Sequence, residues 1–174
     1  MTPPMTKEQT PSSASSQGSN DHRVNAPFAV SWTHRLRFTR SALDPANPIL
    51  DEGIRGDDPA PSQRGMIAVI DDGLAKAQPD LTRKLQAYVE SRDELPELRE
   101  VVEIEGGEGC KNSPDATNRV LKSVEENRIC RKSTVLVVGG GAVLDAAGYA
   151  SAIAHRGVRL VRMPSTVLEI GRAH

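Results

Sequence analysis

The 174-residue sequence has no long hydrophobic run, few aromatic side chains, only two cysteines and no excess of either charge. No apolar stretch approaches the roughly 18 residues that a membrane-spanning helix needs. Lys and Arg number 22 against 23 for Asp and Glu, a net charge of −1 that excludes a strongly basic nucleic-acid surface. Phe, Tyr and Trp make up 3% of the chain, too few for a platform on which single-stranded bases stack. Cys110 and Cys130 form no CxxC pair and no disulfide framework, and the four histidines show no HxxxH or HExxH spacing, so no metal site is expected within these residues. The start, MTPPMTKEQTPSSASSQGSND, lacks the apolar centre of a secretory signal. The expectation is a cytoplasmic protein that binds neither nucleic acid nor membrane.

Residues 1–26 are rich in Ser and Pro, and Val24 is their one member of the Val/Ile/Leu/Phe/Trp/Tyr set. Such a stretch buries too little apolar surface to offset an ordering cost of roughly 1–2 kcal/mol per residue, which predicts a disordered tail. Phe28, Val30, Trp32, Leu36 and Phe38 alternate with polar neighbours, the pattern of a half-buried strand or strand pair. Between Ser41 and Arg64 the chain is polar, with Pro45, Pro48, Pro59 and Pro61 and room for one short helix. From Met66 onwards strand and helix signals alternate. Met66–Ile70, Val101–Ile104, Thr134–Val138 and Val158–Val161 read as strands. Leu81, Leu85, Tyr88 and Val89 form one helical face, and Val120, Leu121 and Val124 another. Ser113-Pro114 reads as a helix cap followed by proline at the first helical position. Ala142–His155 reads as a helix of small residues, in which Gly148 suggests close packing on a sheet. Short links between these elements predict an α/β fold with a mainly parallel sheet.

Three clusters carry chemistry. In TVLVVGGGAVLDAAGYA a buried strand runs through Gly139-Gly140-Gly141 straight into a helix. Glycines let the backbone approach a ligand, and a helix start offers unpaired N–H groups and a positive dipole end, so this is either a phosphate cradle or a tight strand-to-helix turn. Asp145, in the first turns of that helix, suits either the dipole or the sugar hydroxyls of a nucleotide. Gly106-Gly107-Glu108-Gly109-Cys110-Lys111 is a second glycine-rich turn, again between a strand and a helix, with Cys110 read as a packing residue. The third is His155-Arg156-Gly157 followed by a strand and Pro164-Ser165-Thr166. There His155 is read as a helix-end cation, and Arg156 either as the same or as a contact for an anionic substrate at the sheet edge.

The order GGExxK, GGGxxxD, RG, P[ST]T across residues 66–168 resembles the 3-dehydroquinate synthase family, the sugar phosphate cyclases. The resemblance implies a Rossmann-like NAD-binding α/β domain over residues 27–168, with a C-terminal helical domain, carrying zinc or cobalt in the full-length enzyme, absent from this chain. It implies that Asp71, Gly107, Glu108, Lys111, Gly140, Gly141, Asp145, Ser165 and Thr166 contact NAD. It further implies that Arg156 grips the phosphate of a phosphorylated sugar acid, reaching it across a homodimer interface, a task suited to a guanidinium fork. The family converts 3-deoxy-D-arabino-heptulosonate 7-phosphate to 3-dehydroquinate and phosphate, and sister enzymes cyclise sedoheptulose 7-phosphate or related sugars.

The sequence departs from that pattern in places. The family's Asp-x-Asn after the first strand is here Asp71-Asp72-Gly73, and Ser165 replaces a common threonine. The 41–64 segment and WTHRLRF are unlike typical shikimate-pathway members. After Val167-Leu168 the family continues towards metal ligands, whereas this chain ends Glu169-Ile170-Gly171-Arg172-Ala173-His174. That hexapeptide is expected not to be native, because GAG-ATC-GGA-AGA-GCA-CAC encodes it and reads as a sequencing-adapter string; the fragment alone is expected to be inactive. Two alternatives stand beside the cyclase reading. One is the iron-dependent alcohol or glycerol dehydrogenase family, whose GGGSxxDxAK loop has a lysine that GGGAVLDAAG lacks; the other is a non-catalytic NAD-binding domain.

Overall fold

The computed structural model describes residues 26–27, 29, 33–107, 109–110 and 114–165. The chain divides into two units, residues 1–34 and 35–174, and every helix and strand of the described residues lies in the second. Its strands are β1 (Gly65–Asp71), β2 (Glu97–Ile104), β3 (Thr134–Gly139) and β4 (Arg159–Pro164). All pair in parallel, in the order β2-β1-β3-β4. The helices are α1 (Ile49–Arg55), α2 (Asp72–Ala77), α3 (Leu81–Glu90), α4 (Asp115–Glu126) and α5 (Gly141–Ile153). The predicted α/β fold with a parallel sheet is therefore present. No helix among the described residues is long and apolar enough to cross a membrane.

The central strands are nearly continuous runs of apolar residues because both faces of the sheet are covered. On one face Ile67, Val69, Val135 and Val137 join Val120 and Val124 of α4 and Val143, Leu144 and Ala147 of α5. On the other Met66, Ala68, Ile70, Leu136 and Val138 meet Leu50 and Ile54 of α1 and Leu81, Leu85, Tyr88 and Val89 of α3. The connection from β1 to β2 thus crosses one face, while those from β2 to β3 and from β3 to β4 cross the other. That is what a single crossover hand requires when the chain reverses its direction across the sheet. The reversal leaves a crevice outside the carboxyl ends of β1 and β3, the switch point at which open α/β sheets bind ligands.

Tyr88 links the two helices of the second face. Its buried hydroxyl donates to the Asn47 carbonyl at 2.7 Å and accepts the Asp51 N–H at 3.1 Å, while the Arg92 guanidinium lies 3.7 Å from the ring centre. Tyr88→Phe keeps the ring but takes the acceptor from the Asp51 N–H, while the Asn47 carbonyl retains Arg92 Nη2 at 3.1 Å. We expect a loss of about 1–2 kcal/mol in urea unfolding.

Several readings differ in detail. Phe28, Val30 and Trp32 lie outside the described residues, but Leu36 and Phe38 are exposed and form no strand, contrary to the alternation. The arginines beside them explain this: Arg35 pairs with Asp57 and Arg37 approaches Glu52 at 3.9 Å, so the segment follows α1 and the turn after it. Helix α4 starts at Asp115 with Pro114 as its cap residue, whose carbonyl accepts the Asn118 N–H at 2.8 Å; Ser113 lies outside the described residues. Residues 1–25, and with them nearly all of the expected tail, also lie outside, as do residues 166–174. Gly148 packs as expected: a Cβ there would stand 2.5 Å from Arg162 Nη2 and 3.6 Å from Leu160 Cδ2.

Candidate functional site

The residues at the carboxyl rim of the sheet come from all four strands. β1 ends in Asp71, β2 runs on into Gly106-Gly107, β3 ends in Gly139 and is followed by Gly140, and β4 is followed by Ser165. The Ser165 N–H donates to the Gly139 carbonyl at 2.9 Å, which holds the segment after β4 against the glycine run.

Asp71 is the hub of this rim. Its Oδ1 accepts the Leu74 N–H at 3.1 Å and so caps α2. Three glycines close around it. A Cβ on Gly106 would run into its carboxylate, one on Gly73 would come within 3.1 Å of Oδ1, and one on Gly139 would stand 3.0 Å from its Cβ. Gly106 and Gly139 therefore make room for Asp71, a packing reason that the motif alone does not reveal. Gly107 is different: its φ of 80° is left-handed, which favours glycine, and no atom lies within 4 Å of where its Cβ would be.

Beyond Gly107 the turn is anchored by Cys110. Its N–H donates to the Gly107 carbonyl at 3.3 Å, and its buried sulfur lies 3.8 Å from the Ala142 carbonyl in the first turn of α5. Burial pushes the Cys110 thiol up, with the Asp71 and Glu105 carboxylates adding to the effect, so it stays protonated as a packing group should. The exposed Cys130 goes the other way, lowered first by the Ser133 hydroxyl 3.3 Å away. Iodoacetamide should therefore alkylate native Cys130 at least about tenfold faster than Cys110, and peptide mass spectrometry would read the difference.

Helix α5 opens with Gly140 in an extended conformation (φ −82°, ψ 177°) and no side-chain cap. Its first intrahelical bond runs from the Leu144 N–H to the Gly140 carbonyl at 3.0 Å, which leaves the N–H groups of Gly141, Ala142 and Val143 at the crevice without helical partners. A dinucleotide's diphosphate fits such a set: backbone donors, a positive dipole end and small residues at a switch point. Asp145 is exposed in the following turn.

Of the residues singled out by sequence, the structure thus gathers Asp71, Gly107, Gly140, Gly141 and Ser165 at one rim, with Asp145 close along α5. Glu108, Lys111 and Thr166 lie outside the described residues. Arg156 is elsewhere. Helix α5 runs back along the sheet for 13 residues, and the turn Ala154–Arg156 that follows sits beside the start of β4, at the amino rim. His155 and Arg156 are exposed there in left-handed conformations, with φ of 50° and 65°. Among the described residues no group of three His, Cys, Asp or Glu side chains could hold a metal ion. Sequence reasoning missed Asp72. Its Oδ2 accepts Lys76 Nζ at 2.6 Å and its Oδ1 accepts the Gly106 N–H at 3.4 Å. The Asp72-x-x-x-Lys76 spacing was the visible half of that arrangement.

Residues 101–173 match the family model described as 3-dehydroquinate synthase N-terminal. The 3-dehydroquinate synthase of Sulfurimonas denitrificans is 37% identical over 81 residues, 47% of this chain and 23% of the relative. That of Francisella tularensis subsp. tularensis is 38% identical over 89 residues, 51% and 23% respectively. The chain thus spans about a quarter of the length of the curated relatives it matches. Among solved structures, 2-epi-5-epi-valiolone synthase from Streptomyces hygroscopicus subsp. jinggangensis 5008, with NAD+ and Zn2+ bound, superposes with a TM-score of 0.58 at 22% identity, covering 80% of this chain and 35% of that one. A 2-deoxy-scyllo-inosose synthase complexed with carbaglucose-6-phosphate, NAD+ and Co2+ gives 0.51 at 20% identity, covering 67% and 30%. These structural likenesses concern the fold.

Proposed function

We propose, from the premise that residues 101–173 carry the N-terminal part of the 3-dehydroquinate synthase family, that this chain is the NAD-binding portion of a sugar phosphate cyclase. Its substrate in the full-length protein is a heptulosonate 7-phosphate, from which phosphate is eliminated before a carbocycle closes. The observation that supports this best is the gathering of Asp71, Gly107, Gly140, Gly141 and Ser165 around the β1/β3 crevice.

In this reading the N–H groups opening α5 face the diphosphate, and Asp145, one turn further on, lies within reach of a sugar hydroxyl. Asp71, with Oδ1 committed to Leu74, offers its remaining oxygen to the adenosine ribose. Glu108, Lys111, Ser165 and Thr166 complete the contacts from the turns after β2 and β4. When bound, NAD supplies reversible oxidation of a ring hydroxyl, which acidifies the neighbouring C–H. The chain's own residues bind and orient the cofactor. Arg156 belongs to a second copy's site: at the amino rim it is remote from its own glycine turns, and a homodimer would bring it to a partner's substrate phosphate.

Calorimetry with NAD+ on the 174-residue chain tests the binding half of the proposal, and saturable uptake is the expected result. The catalytic half is tested by turnover. Phosphate release from 3-deoxy-D-arabino-heptulosonate 7-phosphate is expected, whereas NAD reduction by a simple alcohol would point to the dehydrogenases, and NAD uptake with neither reaction to a non-catalytic domain.

A further inference from the structure

We infer that Asp72 is a positioning residue of the dinucleotide site, holding the Gly106-Gly107 turn in place through the Gly106 N–H; the inference rests on the NAD reading above. Asp72 opens α2, and its two oxygens have separate tasks. Oδ1 reaches 34 residues along the chain to accept the Gly106 N–H at 3.4 Å, and Oδ2 accepts Lys76 Nζ at 2.6 Å. The Lys76 ammonium, followed by the Gly106 N–H, holds the Asp72 carboxyl below the usual carboxylate range, so the acceptor stays charged. Its neighbour cannot substitute for it, because Asp71 Oδ1 is taken by the Leu74 N–H and its carboxylate fills the space beside Gly106. The two acids at the end of β1 thus divide the work: Asp71 sets how close Gly106 can come, and Asp72 fixes its N–H.

The far end of the same turn is held by Cys110, through the Gly107 carbonyl at 3.3 Å and the sulfur buried near Ala142. Between these anchors Gly107 sits at φ 80°, in the left-handed region. Without Asp72 the Gly106 N–H loses the acceptor that it has in the fold, and among the described residues the hydrogen bond left to hold the turn is that from Cys110.

The test compares wild type, Asp72→Ala and Asp72→Asn as the 174-residue chain, reading NAD+ affinity by calorimetry and Gly106 amide exchange by NMR. Asp72→Ala should weaken NAD+ about tenfold and speed Gly106 exchange by a similar factor. Asp72→Asn, which keeps an acceptor oxygen, should stay within about threefold of wild type in both. Wild-type affinity or unchanged Gly106 exchange in Asp72→Ala overturns the inference, as does Asp72→Asn falling as far as Asp72→Ala. If the wild-type chain itself takes up no NAD+, the dinucleotide reading fails and the inference falls with it; the wild-type control separates that failure from the others.

Discussion

Gly106→Ala is expected to destabilise the fold and weaken NAD+ binding together, and the loss of stability should shrink when Asp71 is also removed. The new Cβ meets the Asp71 carboxylate, a short side chain already committed to the Leu74 N–H. Either Asp71 rotates away and uncaps α2, or the Gly106-Gly107 turn moves outward from the crevice. Overpacking of this kind costs about 1–3 kcal/mol, and a displaced turn should cost at least about tenfold in NAD+ affinity. Asp71→Ala alone loses a helix cap, about 1 kcal/mol, but opens the space that Gly106→Ala needs. The cycle should therefore show a favourable coupling of about 1–2 kcal/mol in urea unfolding. Additive losses would mean that Gly106 is required for some reason other than Asp71.

Arg159→Ala should produce the largest loss of stability away from the crevice. The Arg159 guanidinium joins the first residue of β4 to the end of α1, donating through Nη2 to the Ile54 and Arg55 carbonyls at 2.8 Å each and through Nη1 to Asp58 at 3.3 Å. Gly56 turns there with a φ of 51°, and a Cβ on it would stand 2.8 Å from Arg159 Nη2. Removing the fork takes the Arg159 donor from the Ile54 carbonyl, leaves the Arg55 carbonyl with the Asp58 N–H at 3.1 Å, and leaves Asp58, whose side chain is 8% exposed, with the Ala60 N–H at 2.9 Å and Arg64 at 3.6 Å. A loss of about 2–3 kcal/mol is expected, and Arg159→Lys should recover only part of it because an ammonium cannot match the planar fork. A loss below about 0.5 kcal/mol would class the cluster with ordinary surface ion pairs. The same cluster gives a pH dependence. The Asp58 carboxyl is held below its usual value first by the Ala60 N–H, then by Arg64 and Arg159. Its folded pKa is thus lower than its unfolded one, so its contribution is full above the ordinary carboxylate range and is lost as pH falls through the depressed value. Asp58→Asn should flatten that acid limb of the stability curve.

The strands, the two amphipathic helices and the glycine bend were legible because each is specified locally. Met66–Ile70 and Thr134–Val138 are apolar runs of strand length, and Leu81, Leu85, Tyr88 and Val89 repeat with helical period. What the sequence could not show depends on partners distant in the chain. The Leu36 and Phe38 alternation suits a strand, but the charges at Glu52 and Asp57 draw the arginines beside them to α1 and the turn after it. Nothing local marks Asp72 as the partner of Gly106, or Gly106 and Gly139 as clearance for Asp71. The position of Arg156 follows from helix length: 13 residues of α5 at 1.5 Å each span about 20 Å, enough to carry the chain from the carboxyl rim to the amino rim. Motif order brings Arg156 near the glycines in sequence, and the helix between them takes it away.

Amide NMR of the 174-residue chain during titration with NAD+ tests the central claim most directly. Saturable shifts are expected at Gly107, at Gly140 to Val143 and at Ser165, with the amides of Arg156 and Gly157 at the amino rim unmoved. An unchanged spectrum at saturating NAD+, or shifts confined to the amino rim, would contradict it.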